Sequence, residues 1–167
     1  ERIVMSFEDQ SQARLAERAL ARLDAQHTAV FEASAAGLTI LDAEGTVIAA
    51  NAAAHRIMGF PPGALLGRTP GDTRWGHVDQ DGRPLPVTEQ PNYITRTSGQ
   101  PTRDRIVGVN PPNGRRVWVS ISTEPIEGRR TAPFAVAASI IDLGPQRRAE
   151  ARVRAAEAAV TLYQDAS

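Results

Sequence analysis

The spacing of apolar residues changes twice along this sequence, and these changes limit the fold more than any other feature. Near the start and near the end of the chain, apolar residues recur at heptad spacing. Between them, short β-rich runs follow a period of two. The first pattern predicts amphipathic helices and the second predicts β-strands. We therefore expect an N-terminal helix over residues 1–30, a sheet-containing core over 31–143 and a C-terminal helix over 144–167.

Both terminal helices carry a narrow apolar stripe, which predicts a partner. A single helix of this length is marginal in water when isolated. Each one is therefore expected to pack on the core, to dimerise or to continue into a neighbouring domain. We favour a homodimer, and its expected interface consists of Ala16, Leu20, Leu23, Val30, Val153 and Val160.

The core region predicts five strands, with short helices between the second strand and the third. The strands are expected at residues 38–42, 46–50, 104–109, 117–124 and 134–142. Gly45 favours the positive φ of a tight hairpin turn between the first two strands. Asn51 is expected to cap a helix over residues 52–58, and a longer helix is expected over residues 88–98.

Composition excludes several kinds of chemistry. The chain has no Cys, and all 19 of its basic residues are Arg, so there are no disulfides, thiolate nucleophiles, cysteine-bound metals or catalytic lysines. Nineteen acidic residues balance the charge, which leaves no overall field for nucleic acid or an anionic membrane. No apolar run approaches the roughly 18 residues that span a bilayer. We therefore expect a cytoplasmic protein that binds neither nucleic acid nor membrane.

The three histidines do not form a catalytic or metal-binding motif. His27, His55 and His77 are separated by 28 and 22 residues, and these spacings match no metal signature. None of them lies in a motif that would supply a nucleophile, a base and an orienting group. We predict that the chain is not an enzyme and has no metal site.

Several short segments of the core, taken in order, resemble the PAS sensory domain. In chain order they are Ala36-Gly37-Leu38, Asn51, Met58-Gly59-Phe60, Asn113-Gly114, Trp118 and Asp142-Leu143-Gly144. The last of them resembles the joint at which the family's final strand enters an exit helix. Gly144 stands where the family usually has Ser or Thr.

The resemblance implies an α+β fold. A five-stranded antiparallel sheet carries short helices over one face, and coiled-coil-like helices flank it at both ends. Asn51, Asp142 and Gly144 are the expected structural and signalling positions.

The resemblance also implies a sensor, which we expect to be bacterial, that relays a conformational change through its terminal helices. Histidine kinases, cyclic-dinucleotide enzymes, phosphatases and transcription factors are common outputs of the family. The chain begins at Glu1 rather than Met, and we expect such an output domain to lie outside it.

The resemblance leaves the content of the cavity open. Haem-binding members use a His on the long helix, where this chain has none, and light-sensing flavin members need a Cys, so we expect neither. We expect a small apolar ligand such as a fatty acid or metabolite, and a ligand-free dimerisation and relay module or a non-covalent flavin redox sensor remain as alternatives.

The expected ligand-contacting residues are mostly large apolar or aromatic side chains of the core. They are Ile57, Met58, Phe60, Trp75, Tyr93, Ile94, Ile106 and Trp118. Arg103 or Arg105 is expected to meet a ligand carboxylate at the cavity mouth. Trp118 alternates with Val117 and Val119, but the period alone does not identify the face of the sheet on which it lies.

Overall fold

The structure, a computed structural model, describes residues 2–69, 71, 75–111, 114–126, 128 and 131–165. The chain divides into two compact units, residues 1–34 and residues 35–167. The first unit consists of one long helix, α1 (Arg2–Ala33). Leu20, Leu23 and Val30 of its apolar stripe are 62%, 47% and 73% exposed.

The second unit contains the sheet and all the other elements. They are β1 (Gly37–Leu41), β2 (Val47–Ala50), α2 (Ala52–Met58), a 3-10 turn (Val87–Glu89), α3 (Pro91–Ser98), β3 (Thr102–Val109), β4 (Val117–Ile126), β5 (Ala135–Asp142) and α4 (Gly144–Asp165). The strands form one sheet in the order β2-β1-β5-β4-β3, and every neighbouring pair is antiparallel. The predicted α+β fold with a five-stranded antiparallel sheet is confirmed.

The helix predicted over residues 88–98 is divided in two. A 3-10 turn covers Val87–Glu89, and α3 starts only at Pro91. Pro91 favours an extended conformation at the preceding residue, and Gln90 has φ −72° and ψ 140°. Proline is well accommodated at the first position of a helix, so Pro91 ends one helical segment and begins the next.

The core lies on one face of the sheet. Alternate residues of β4, from Val119 to Ile121 and Thr123, are buried, as the period of two requires. Ala54 and Met58 of α2 pack with this face, together with Leu65. Asn113, part of the Asn113-Gly114 segment of the resemblance, lies outside the described residues.

Helix α2 lies very close to the start of β1. A Cβ on Gly37 would lie 2.9 Å from the Cα of Ala54, so only glycine permits this approach. Asn51 joins the same two elements: its Oδ1 accepts hydrogen bonds from the N–H groups of Leu38 and Ala54, at 2.9 and 2.8 Å. Its Nδ2 donates to the carbonyl of Ala36 at 3.0 Å. The predicted cap therefore also anchors the first strand.

None of the described helices combines the length and the apolar character needed to cross a membrane.

Candidate functional site

A small cavity lies between the core face of the sheet and the segments that cover it. Its volume is about 40 Å³, which is room for about three water-sized groups. The walls come from four strands, both short helices and the irregular segment between them. The lining residues are Thr39, Leu41, Val47, Met58, Leu65, Trp75, His77, Asn92, Ile121 and Ile140.

Aromatic rings form one wall of this cavity. Trp75 stacks on His77 with ring centroids 5.9 Å apart and an interplanar angle of 10°. The ring of Phe60 lies 5.1 Å from that of Trp75 on centroids, in a tilted arrangement. Trp75 Nε1 donates a hydrogen bond to the carbonyl of Thr69 at 3.1 Å, so the indole satisfies its own polar group and presents only its apolar surface.

His77 brings a neutral polar group to the cavity. Burial lowers the pKa of His77 from 6.5 to about 4, because an apolar environment disfavours the imidazolium. The neutral imidazole can donate through one nitrogen and accept through the other.

Two buried polar atoms at this cavity have no partner within the described part of the chain. His77 and Asn92 line it, and their atoms Nδ1 and Oδ1 belong to a set of four such side-chain atoms, which also includes His55 Nδ1 and Gln90 Oε1. A buried polar atom without a hydrogen bond is costly, by about 1–3 kcal/mol. The cavity therefore suits a guest that can hydrogen-bond to one or both of these atoms.

A second, wider pocket of about 250 Å³ shares Leu41 and Asn92 with the cavity. Tyr93 and Arg96 line it, and the guanidinium carbon of Arg96 lies 5.3 Å from the centroid of the Tyr93 ring. We expected Arg103 or Arg105 at the cavity mouth, but neither lines this pocket. Both arginines lie on β3, at the edge of the sheet. Arg103 pairs with Glu124, and Arg105 lines a separate surface pocket.

The predicted ligand-contacting residues separate into two groups in the structure. Met58 and Trp75 line the cavity, and Tyr93 lines the neighbouring pocket. Ile57 and Phe60 are partly buried against the core. Ile94 is half-buried on α3.

Ile106 and Trp118 lie away from the cavity. Ile106 precedes the buried Val107 and is 38% exposed, and Trp118 precedes the buried Val119. Since successive side chains of a strand point to opposite faces, both residues belong to the outer face of the sheet.

Trp118 instead meets the start of α4. The guanidinium carbon of Arg147 lies 4.4 Å from the centroid of the Trp118 ring, and the N–H of Leu143 donates to the carbonyl of Trp118 at 2.8 Å. Asp142 Oδ1 accepts a hydrogen bond from the N–H of Gly144 at 2.8 Å. Three separate contacts therefore fix the joint between β5 and α4.

Sequence reasoning missed most of the cavity lining. Thr39, Leu41, Val47, Ile121 and Ile140 carry a readable signal, because each falls on the buried side of a strand with period two. Leu65, His77 and Asn92 carry none, since they come from irregular backbone or from a short helix whose orientation no local pattern fixes.

Comparison with known families and structures gives consistent results. The family model described as PAS fold matches residues 31–148. Comparison with curated proteins found no significant match.

The PAS domain of an HTR-like protein from Haloarcula marismortui has a TM-score of 0.56 at 19% identity, over 77% of this chain and 98% of that one. A domain of a sensory box sensor histidine kinase/response regulator from Geobacter sulfurreducens has a TM-score of 0.54 at 20% identity, over 74% and 96%. The LOV protein of Rhodobacter sphaeroides has a TM-score of 0.52 at 22% identity, over 70% of this chain. The match spans 64% of that protein, less than two thirds of its length. At these identities the likeness concerns the fold alone.

Proposed function

This chain belongs to the PAS fold family of signal-transduction sensor domains, and we propose that it senses a small uncharged molecule. The molecule would bind in the cavity beside His77 and Asn92. One observation supports this proposal: two residues that line an apolar cavity, His77 and Asn92, each carry a buried polar atom, Nδ1 and Oδ1, without a partner among the described residues. A guest with an O–H or N–H group would satisfy Asn92 Oδ1 and fill the apolar remainder.

The lining supports an uncharged guest. No Asp, Glu, Lys or Arg is among the residues that line the cavity, and burying an unpaired charge is far more costly than burying a hydrogen-bonded polar group. The low pKa of His77 keeps its imidazole neutral at physiological pH. The guest should therefore be a short alcohol, an amide or a similarly small neutral compound.

The cavity volume argues against the larger candidates. Pockets for drug-sized ligands span about 300–1,000 Å³, whereas this cavity is about 40 Å³. A flavin ring system or a fatty acid exceeds that volume, and Trp118, an aromatic side chain that we expected at the ligand, lies on the outer face of the sheet. Helix α3 supplies no His to a haem iron.

A relay route is part of this proposal. Ile140 lines the cavity and lies on β5, two residues before Asp142 at the joint with α4. A guest that presses on Ile140 would change the twist of β5 and thereby the start of α4. We propose an output domain of a longer protein as the receiver, as in the sensor histidine kinase that contains a similar domain.

We also propose that the chain is a homodimer joined mainly through its terminal helices. The exposure of Leu20, Leu23 and Val30 on α1, and of Val153 and Val160 on α4 at 57% and 56%, supports a partner for both stripes. A second copy of the chain supplies matching stripes, because each copy carries the same heptad spacing.

A ligand-free relay module is the second candidate function. The observation in its favour is the cavity volume of about 40 Å³, which a few ordered waters can fill while bonding to His77 and Asn92. Dimerisation and relay would then operate without a small-molecule signal.

A pair of probes of equal size separates these two functions. Acetamide is neutral and carries both donors and an acceptor, whereas acetate has nearly the same shape and a negative charge. We expect acetamide to cause saturable NMR shift changes at Met58, Ile121 and Ile140, and acetate to cause none. Extraction of the purified chain for mass spectrometry would identify any natural guest.

The matched variants are Asn92→Leu, which keeps the volume and removes the polar group, and Gln100→Ala, at an exposed site just after the same helix. Asn92→Leu should abolish the acetamide response and Gln100→Ala should preserve it. An empty extract, with no saturable response to acetamide, would favour the ligand-free relay and overturn the sensor of a small neutral molecule.

A further inference from the structure

A second concave surface lies where β5 meets α4, beside Trp118 on the outer face of the sheet. Its volume is about 360 Å³, within the range of pockets that bind small organic molecules. Its charged residues are Arg115, Arg116, Asp142, Arg147 and Arg148. We call this surface the joint pocket.

The joint pocket carries a concentrated positive charge, although the chain as a whole is neutral. Four guanidinium groups and one carboxylate line it, and even without Arg115 the other groups leave an excess of two positive charges. Like charges gathered at one site repel each other, and an anion of opposite sign relieves that repulsion. The excess therefore favours a ligand with at least two negative charges.

Three of these arginines have no carboxylate partner among the described residues. Ion pairs in that part of the chain include Arg83 with Asp81 and Arg103 with Glu124, and within it no ion pair includes Arg116, Arg147 or Arg148. Since arginine stays protonated in proteins, these groups keep their full charge and their capacity to bind an oxyanion.

Two of the guanidinium groups are held in place by neutral partners. Arg147 lies over the Trp118 ring at 4.4 Å, a contact that uses the face of an aromatic ring and no carboxylate. Arg116 Nε donates to Asn110 Oδ1 at 3.0 Å, which leaves its two terminal amino groups for another acceptor. Both groups are therefore positioned before any anion arrives.

The one carboxylate in the joint pocket is already engaged. Asp142 Oδ1 accepts the N–H of Gly144 at the start of α4. It therefore serves the helix end and neutralises only part of the surrounding charge.

We propose that the joint pocket is a binding site for a small oxyanion with two or more negative charges, either a phosphate compound or a dicarboxylate. Guanidinium groups suit both, because their planar N–H donors match the paired oxygens of phosphate and carboxylate. The site is separate from the neutral cavity in position and in chemistry. Since Arg116 precedes β4 whereas Arg147 and Arg148 belong to α4, a bound dianion would tie the exit helix to the sheet.

Calorimetric titration of the full chain at about 0.15 M salt tests this site. Inorganic pyrophosphate and succinate are the two probes, and the tighter one identifies the phosphate or the dicarboxylate class. Arg116→Ala and Arg148→Ala should each weaken binding of that probe about tenfold, as expected when a charge-assisted hydrogen bond is lost. Arg152→Ala changes an exposed arginine of the same helix outside the pocket and should leave binding within about twofold.

A shift of the Trp118 indole N–H signal on titration provides a second readout, because the ring lies under Arg147. The proposal is overturned if neither probe binds saturably at this salt concentration. It is equally overturned if Arg152→Ala weakens binding as much as Arg116→Ala and Arg148→Ala do, since binding would then reflect diffuse charge and not a pocket. Neither result bears on the acetamide response of the neutral cavity.

Discussion

The imidazole of His77 stacks on the indole of Trp75 almost in parallel, with an angle of 10° between the ring planes. Burial in this arrangement lowers the pKa of His77 to about 4. The stacked pair therefore combines a flat apolar wall with one neutral polar edge at the cavity.

The low pKa of His77 predicts a loss of stability in mild acid. Between about pH 6.5 and about pH 4, the unfolded chain binds a proton at this residue that the folded chain does not. The free energy of unfolding should therefore fall as the pH drops through this range, by up to about 3 kcal/mol in total. Urea denaturation of the wild type and of His77→Phe at several pH values measures how steeply the free energy of unfolding changes with pH in each protein.

His27→Phe is the control for this experiment, because His27 lies on the exposed part of α1. It should retain the wild-type pH dependence. Identical slopes for the wild type and His77→Phe would contradict the assigned burial of His77.

Asn51→Ala should destabilise the core by about 2–4 kcal/mol in chemical denaturation. The side chain is fully buried and joins β1 to α2. Its removal deletes a helix cap and leaves the N–H of the half-buried Leu38 without its acceptor. Asn51→Ser can still cap α2 but is too short to reach β1 as well, so its loss should be intermediate. Equal losses for the two variants would show that the bonds to β1 contribute nothing.

Gly99→Ala should destabilise the protein more than Gly63→Ala. Both glycines have positive φ, at 69° and 77°, so both variants incur a backbone penalty of about 1–2 kcal/mol. A Cβ on Gly99 would also lie 2.8 Å from the Phe134 ring, whereas a Cβ on Gly63 meets open space. We expect a total of about 2–4 kcal/mol for Gly99→Ala, measured by thermal or urea unfolding. The predicted clash with Phe134 is wrong if Gly63→Ala lowers the free energy of unfolding as much as Gly99→Ala does.

Asp142→Ala should loosen α4 and leave the sheet intact. The variant removes the acceptor for the N–H of Gly144, a capping contribution of about 0.5–2 kcal/mol. Hydrogen exchange should show lost protection over residues 147–160 and unchanged protection over residues 117–121. Asp142→Asn keeps an acceptor oxygen and should retain most of the protection. Uniform loss across both regions would assign Asp142 a purely structural role.

The double change Leu20→Glu and Leu23→Glu should shift the proposed homodimer toward monomer. It places four negative charges per dimer in the predicted stripe of α1, where like charges repel. Light scattering of the full chain reports the mass. Leu15→Glu is the matched control, because Leu15 is exposed at 63% on the same helix and lies off the stripe. A double variant that stays dimeric would remove α1 from the interface.

The strands were predictable because their signal is local. Val119, Ile121 and Thr123 alternate with partly exposed neighbours, and a period of two is visible in the sequence itself. The end of α2 at Gly59 was predictable for a similar reason, since φ 69° there suits glycine.

The cavity was less predictable because its walls depend on long-range packing. Trp75 and His77 lie in a Gly- and Pro-rich stretch without periodicity, so only the folded chain brings them against Ile121 and Ile140. The face of Trp118 was undecided for a related reason. A period of two indicates that Trp118 and Val119 lie on opposite faces of the sheet. Which face becomes buried depends on elements that are distant in the sequence.

Strand β5 is paired on both sides, with five residue pairs to β1 and eight to β4. If β5 slid by one residue along its own axis, Ile140 would leave the cavity and Ile141 would replace it, and both ladders would break. Sliding is therefore too costly for a signal of a few kcal/mol. We expect any signal that leaves the cavity through β5 to travel as a change in sheet twist, shared by β1, β5 and β4, and to reach α4 as a change in the orientation of its first turn.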